Sequence, residues 1–197
     1  MYGLIRTAFG CIVFALCFFL MKKKNISKKM NIIISLAIAL VVCTGSYFLP
    51  VENSVLTFPT AEKAFAHVNS EKAVLVAEGE KSALVVGEES ENEHTLLIVP
   101  KSDEGWKIGR GIDTKLEKQL LDGDFVINLY KHRRCGDYYI SILYTGSGEL
   151  EISDSCNSAF YAPENTGDRG SEFRLANISD YDDSYRININ GMELQLD

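Results

Sequence analysis

Two apolar runs open the chain, and a short basic segment separates them. Residues 8–20 carry no charge, and neither do residues 31–50. Each run approaches the roughly 20 residues a helix needs to cross about 30 Å of hydrocarbon. Neither shows the polar stripe of a helix packed in a soluble core. The pattern predicts two spans, at about 2–21 and 31–50, joined by a loop at 22–30. That loop holds Lys22, Lys23, Lys24, Lys28 and Lys29, against the single Arg6 on the far side of the first run. Lysines beside membrane segments stay on the cytoplasmic side. The loop is therefore expected inside and residues 51–197 extracytoplasmic, with the cell membrane as location and the lipid bilayer as partner. Tyr47 and Phe48 suit the outer interface, and Pro50 ends the helix.

Two other readings of this region stay open. Met21 followed by three lysines and an apolar run resembles a secretory signal, with translation starting there or cleavage near Thr44, Gly45 and Ser46. Leu40-Val41-Val42-Cys43 loosely fits a lipidation box, although Val42 stands where a small residue is usual. Every variant leaves residues 51–197 on the same side.

Beyond residue 50 the pattern changes. Residues 51–59 read as a tether. Thr60 can cap a helix over 61–69, with Ala61, Ala64, Phe65 and Val68 on one face and Glu62 in the first turn. Strands are expected at 73–77, 82–86 and 95–99, with a shorter one at 106–108. Asp113 to Leu121 predicts a second helix, stopped at Asp122-Gly123. Residues 125–130 and 138–144 predict a hairpin around Cys135-Gly136-Asp137. Leu150 and Ile152 alternate with Glu149 and Glu151, residues 157–172 read as a long loop, and 173–178 as a strand. Asn190-Gly191 predicts a type I′ hairpin pairing Ile189 with Met192, Ile187 with Leu194 and Tyr185 with Leu196. The class is α+β: a transmembrane helical anchor, then a β-rich outer domain at 60–197 with one or two short helices and antiparallel sheets, in possible sub-parts near 60–111 and 112–197.

Residues 58–65, the two valine-rich strands after them, and Gly105-Trp106-Lys107 resemble small extracytoplasmic domains found behind membrane anchors or signal peptides in Firmicutes. The resemblance covers about the first third of the outer part. It implies the helix-plus-meander arrangement and no established activity.

Charge sharpens the division. The net charge is −7, but all 27 acidic residues follow residue 50, with 14 of the 20 basic ones, so residues 51–197 carry −13. Such a surface repels nucleic acid and suits cations or a basic partner; it also serves solubility alone. Cys11, Cys17 and Cys43 fall in the apolar runs as small hydrophobes. Cys135 and Cys156 are the two remaining cysteines. A disulfide between them, closing a loop of about twenty residues and contributing roughly 3 kcal/mol, is the favoured reading. The competing one makes Cys135 a nucleophile, its pKa lowered by His132-Arg133-Arg134.

Other chemistry is thin. Asp180, Asp182 and Asp183, or Asp122 and Asp124, lack the spacing of a calcium loop. His67, His94 and His132 are scattered, and no HExxH, CxxC, G-x-S-x-G, P-loop or dinucleotide fingerprint occurs, so no metal, cofactor or catalytic set is assigned. Tyr130, Tyr138, Tyr139, Tyr144 and Tyr161 include possible binding rings but read as packing. Asn177-Ile178-Ser179 fits a glycosylation sequon. The expectation is a membrane-anchored, non-enzymatic domain that binds a protein or cell-envelope component. The alternatives are a surface thiol or hydrolytic enzyme using Cys135 and His132, and a regulatory subunit of a larger membrane protein.

Overall fold

Long apolar runs become long helices: α1 (Tyr2–Lys22) and α2 (Lys28–Phe48). The computed structural model describes residues 2–22, 27–48, 51–90, 93–163 and 172–196. It divides into two units, Met1–Val55 and Leu56–Asp197.

In the first unit, Ser27 caps α2: its hydroxyl accepts from the Met30 amide at 3.4 Å and its carbonyl from the Asn31 amide at 2.9 Å. Asn31 Nδ2 donates to the Phe18 carbonyl at 3.1 Å. At the other end, Gly10 faces Cys43 so closely that a Cβ on Gly10 would strike the sulfur. Asn31 near Phe18 and Cys43 near Gly10 make the pair an antiparallel hairpin. Among the described residues, one helix is long and apolar enough to cross a membrane, over Lys28–Gly45; Thr7–Lys22 is a shorter apolar helix. Two spans were expected, and one meets the criterion of length and composition.

In the second unit, α3 (Ala61–Val68) starts where Thr60 accepts from the Lys63 amide at 3.3 Å. Its buried Ala61, Ala64 and Phe65 pack on the first sheet, order β1-β2-β3-β4, formed by β1 (Lys72–Glu78), β2 (Ser82–Ser90), β3 (Glu93–Ser102) and the two-residue β4 (Gly105–Trp106). Phe65 lies directly on Gly87, where a Cβ would meet the ring at 2.5 Å, so glycine is required there for close approach. The other face of this sheet carries Leu75, Ala77, Leu84, Val86 and Ile98, which pack against Tyr139 and Leu175 of a second sheet.

The second sheet has the order β5-β6-β7-β9, with β5 (Thr114–Asp122), β6 (Phe125–His132), β7 (Tyr138–Tyr144) and β9 (Glu172–Ile178). Its far face, with Ile127, Leu129, Ile140, Ile142 and Ala176, packs on a third sheet, order β11-β10-β8. That sheet comprises β8 (Ile152–Asp154), β10 (Arg186–Ile189) and β11 (Met192–Gln195). Among the described residues every strand pairing is antiparallel. The unit is thus a helix on three stacked sheets, an α+β fold.

Sequence and structure part most at the segment after Gly111; the tether expected at 51–59 also holds a 3-10 helix at Val51–Ser54, and the strand expected at 106–108 is Gly105–Trp106. The expected helix over 113–121 is a strand: β5 pairs with β6 from Thr114↔His132 to Asp122↔Phe125, after a 3-10 turn at Gly111–Asp113. Gly123, at φ +54, turns the hairpin. The Leu, Lys, Glu and Gln of β5 favour helix, and cross-strand pairing overrides that preference. The last hairpin follows its turn chemistry: Asn190 and Gly191 have φ of +52 and +83, and Ile189↔Met192 and Ile187↔Leu194 pair as expected. Tyr185 and Leu196, next in line, are both buried in the same core, whereas Met192 is exposed.

Candidate functional site

The residues singled out for chemistry gather where the β6–β7 turn meets the β1–β2 turn. The β6–β7 turn is closed by His132 N–H to the Asp137 carbonyl, 3.1 Å, and Gly136 N–H to the His132 carbonyl, 3.2 Å. Gly136 sits at φ +83. His132 is the last residue of β6 and only 2 % exposed. Its Nδ1 accepts from the Cys135 amide at 3.0 Å and the Arg134 amide at 3.3 Å. With Nδ1 accepting, the proton of the neutral ring sits on Nε2. That Nε2 is buried without a hydrogen-bond partner among the described residues. Burial pulls the His132 pKa below its ordinary value; Asp113 and Asp137 work against the shift, and Arg134 and Arg110 with it.

Two carboxylates frame the histidine. Asp113 is held by a fork from Arg110, Nε to Oδ2 at 2.5 Å and Nη2 to Oδ1 at 2.6 Å, and Arg134 stands 3.8 Å away. The Asp113 carbonyl also takes the Arg133 amide at 3.0 Å. Asp137 reaches across to the first sheet, accepting from the Lys81 amide at 2.9 Å and the Ser82 hydroxyl at 2.7 Å. Ser82 Oγ lies 2.8 Å from the Tyr139 hydroxyl. Burial drives the Tyr139 hydroxyl far above its ordinary pKa, so it stays a neutral donor or acceptor.

This geometry ties the two turns together and disfavours a Cys135 thiolate. Burial raises the Cys135 thiol, Asp137 and Asp113 raise it further, and Lys81 and Arg134 only partly oppose them. The basic neighbours read in the sequence are present, but Arg110 and Arg134 flank Asp113. The accepting nitrogen of His132, Nδ1, is occupied by the Arg134 and Cys135 amides. An activated thiol needs a lowered pKa and a free base.

The disulfide expected between Cys135 and Cys156 is not formed; both are free thiols. Cys156 packs against the core between the second and third sheets, and its thiol donates to the Asp180 carbonyl at 3.7 Å. Cys135 has Asp137, Asp113 and Lys81 around it, on the side where the second sheet meets the first. The middle sheet stands between the two thiols.

The remaining candidates are dispersed. His67 lies against the Phe58 ring, and His94 against Phe173. Asp182 accepts from the Ser184 amide and hydroxyl, which lower its pKa, and the Asp124 carbonyl accepts from the Thr145 amide. Among the described residues, no three of His, Cys, Asp and Glu converge to hold a metal ion. Tyr138 stacks on Tyr181, Tyr144 on Phe125, and Tyr130 and Tyr139 line the core between the first two sheets; Tyr161 is exposed. Asn177 Nδ2 donates to the Tyr138 carbonyl. Lys22 ends α1 and Lys28 and Lys29 begin α2, while Lys23 and Lys24 lie outside the described residues.

One set of residues escaped the reading of the sequence. Asn31, Ser35 and Ala39 recur every four positions along α2 and are its buried face, with Cys43 next in the row and half-buried. Ser35 Oγ donates to Asn31 Oδ1 at 3.3 Å. The signal was there as a small-or-polar residue at each fourth place, the spacing of one helix face. No family model, curated protein or solved structure matches the chain.

Proposed function

We propose that the chain is a membrane-anchored protein whose Leu56–Asp197 unit works outside the cell membrane as a non-enzymatic binding module for a protein or envelope component. The observation that supports anchoring most is the inverted polarity of the helical hairpin. Asn31 (3 % exposed) and Ser35 (0 %) are its interior, while Leu16, Ile33 and Val41 (71 %) point outward. A hairpin built for water puts its polar residues outside. One built for lipid hides polar side chains between its helices and bonds them to each other or to the opposite backbone. Sidedness follows from the lysines at the tip of the hairpin, which belong in the cytoplasm. Residues 51–197, at the far end of α2, then lie outside. Their net charge of −13 suits a basic partner. The raised Cys135 thiol and its engaged histidine favour binding over thiol chemistry.

Protease added to intact cells should degrade the C-terminal unit and spare the hairpin tip. Protection until lysis would reverse the topology. Crosslinking of intact membranes followed by pull-down should recover a discrete partner; recovery of none would remove the binding half of the proposal.

A further inference from the structure

The β6–β7 turn depends on one acceptor. The Arg134 and Cys135 amides both donate to His132 Nδ1, and the neutral ring offers no second lone pair. An imidazolium has none at all. Adding a proton at Nδ1 therefore takes away both hydrogen bonds at once and leaves two N–H groups facing an N–H. Among the described residues the buried Nε2 has no partner to hold the cation in place.

The same turn holds the first sheet. Asp137, two residues beyond Cys135, carries the bonds to the Lys81 amide and Ser82 hydroxyl. Gly79 of that opposing turn lies under Asp137, Tyr139 and Asn177, where an added Cβ would meet all three within 3.0 Å. We infer that the β6–β7 turn is a proton-operated latch between the first two sheets: protonation of His132 frees the Arg134–Asp137 backbone, releases Asp137 from Lys81 and Ser82, and opens the half-buried Cys135 further.

The charges facing His132 decide the pH. Asp113, in the turn before β5, and Asp137, in the latch itself, attract the proton; Arg110 and Arg134 repel it. Both carboxylates are already engaged, Asp113 by Arg110 and Asp137 by Ser82 and the Lys81 amide. Burial outweighs them and holds the ring neutral below the ordinary histidine range. The latch is closed at neutral pH and opens in acid, below the ordinary histidine range.

The test follows Cys135 in the full chain in detergent. A disulfide reagent that attacks thiols in acid is added at about pH 7.5 and about pH 4.5, straddling the histidine range, and modification is read at Cys135 by mass spectrometry. The wild type should label several-fold faster in acid than at neutral pH, with the rise following a single protonation. His132→Asn keeps an oxygen for the two amides without titrating, and its labelling should stay flat. Trp106, buried under α3, should keep its native emission throughout. Flat wild-type labelling, an equal rise in His132→Asn, or loss of Trp106 emission in step with labelling would each overturn the latch. Should His132→Asn not fold, hydrogen exchange of the wild type decides instead. The Lys81 amide must lose protection over the same pH range as Cys135 becomes reactive, and retained protection refutes the mechanism.

Discussion

Ser82 spends one hydroxyl on two partners, and that makes the clasp unequal under mutation. In Tyr139→Phe, Ser82 keeps its bond to Asp137, so the loss should be about 1 kcal/mol, a single hydrogen bond. Ser82→Ala removes both Ser82 bonds at once, and Asp137 keeps the Lys81 amide and the Tyr139 hydroxyl. The loss should reach about 2–3 kcal/mol. Thermal unfolding of both variants should show Ser82→Ala clearly the less stable; the reverse order would mean the hydroxyls are satisfied elsewhere. His132 adds a pH slope of definite sign. The unfolded chain takes a proton near pH 6.5 and the folded chain only at lower pH. Its contribution is therefore complete above about pH 6.5 and is lost as the pH falls toward the folded value. The sequence placed Cys135 beside His132 and arginines, but adjacency along a chain does not say which nitrogen faces the thiol. A backbone turn took the base, and Asp113 took Arg134.

Elements were legible where a local signal and the packing pattern agreed. Thr60 with its apolar face at 61, 64, 65 and 68, and Asn190-Gly191 between alternating residues, needed nothing beyond their neighbours. Thr60→Ala should lower stability by about 1 kcal/mol through loss of the cap to Lys63. Gly191→Ala, forced to keep φ +83, should lower it by about 1–2 kcal/mol. Melting curves that leave either variant unchanged would show that the adjoining sheet, not the local device, sets the element. β5 was illegible for the opposite reason. Thr-Lys-Leu-Glu-Lys-Gln-Leu-Leu-Asp has helical composition, a bulge between Leu116 and Lys118 that breaks its alternation, and Leu121 exposed at 68 %. As an edge strand paired on one side only, it shows little of the periodicity that marks a buried strand. Its identity comes from β6, which no window on β5 contains.

At the scale of the whole molecule, the hairpin is the part whose surroundings can be tested by a single charge. If α2 lies in hydrocarbon, its outward face must stay apolar. Val41→Lys puts an ammonium on that face, at a cost of about 2.5–3.5 kcal/mol for insertion near a span's centre. The protein should then shift from the membrane pellet toward the soluble or aggregated fraction. In a hairpin that lives in water the same substitution should improve solubility, so the two environments predict opposite signs. Asn31→Leu tests the interior from the other side. It removes the bond to the Phe18 carbonyl and the acceptor for Ser35, which loosens the pair by about 0.6–2 kcal/mol while making α2 more apolar. Membrane recovery should therefore hold or rise while contact between the helices weakens, read as a lower yield of crosslink between α1 and α2. Loss of membrane recovery together with that contact would mean that α2 does not enter the bilayer by its own hydrophobicity, and that the hairpin is held by packing rather than by lipid.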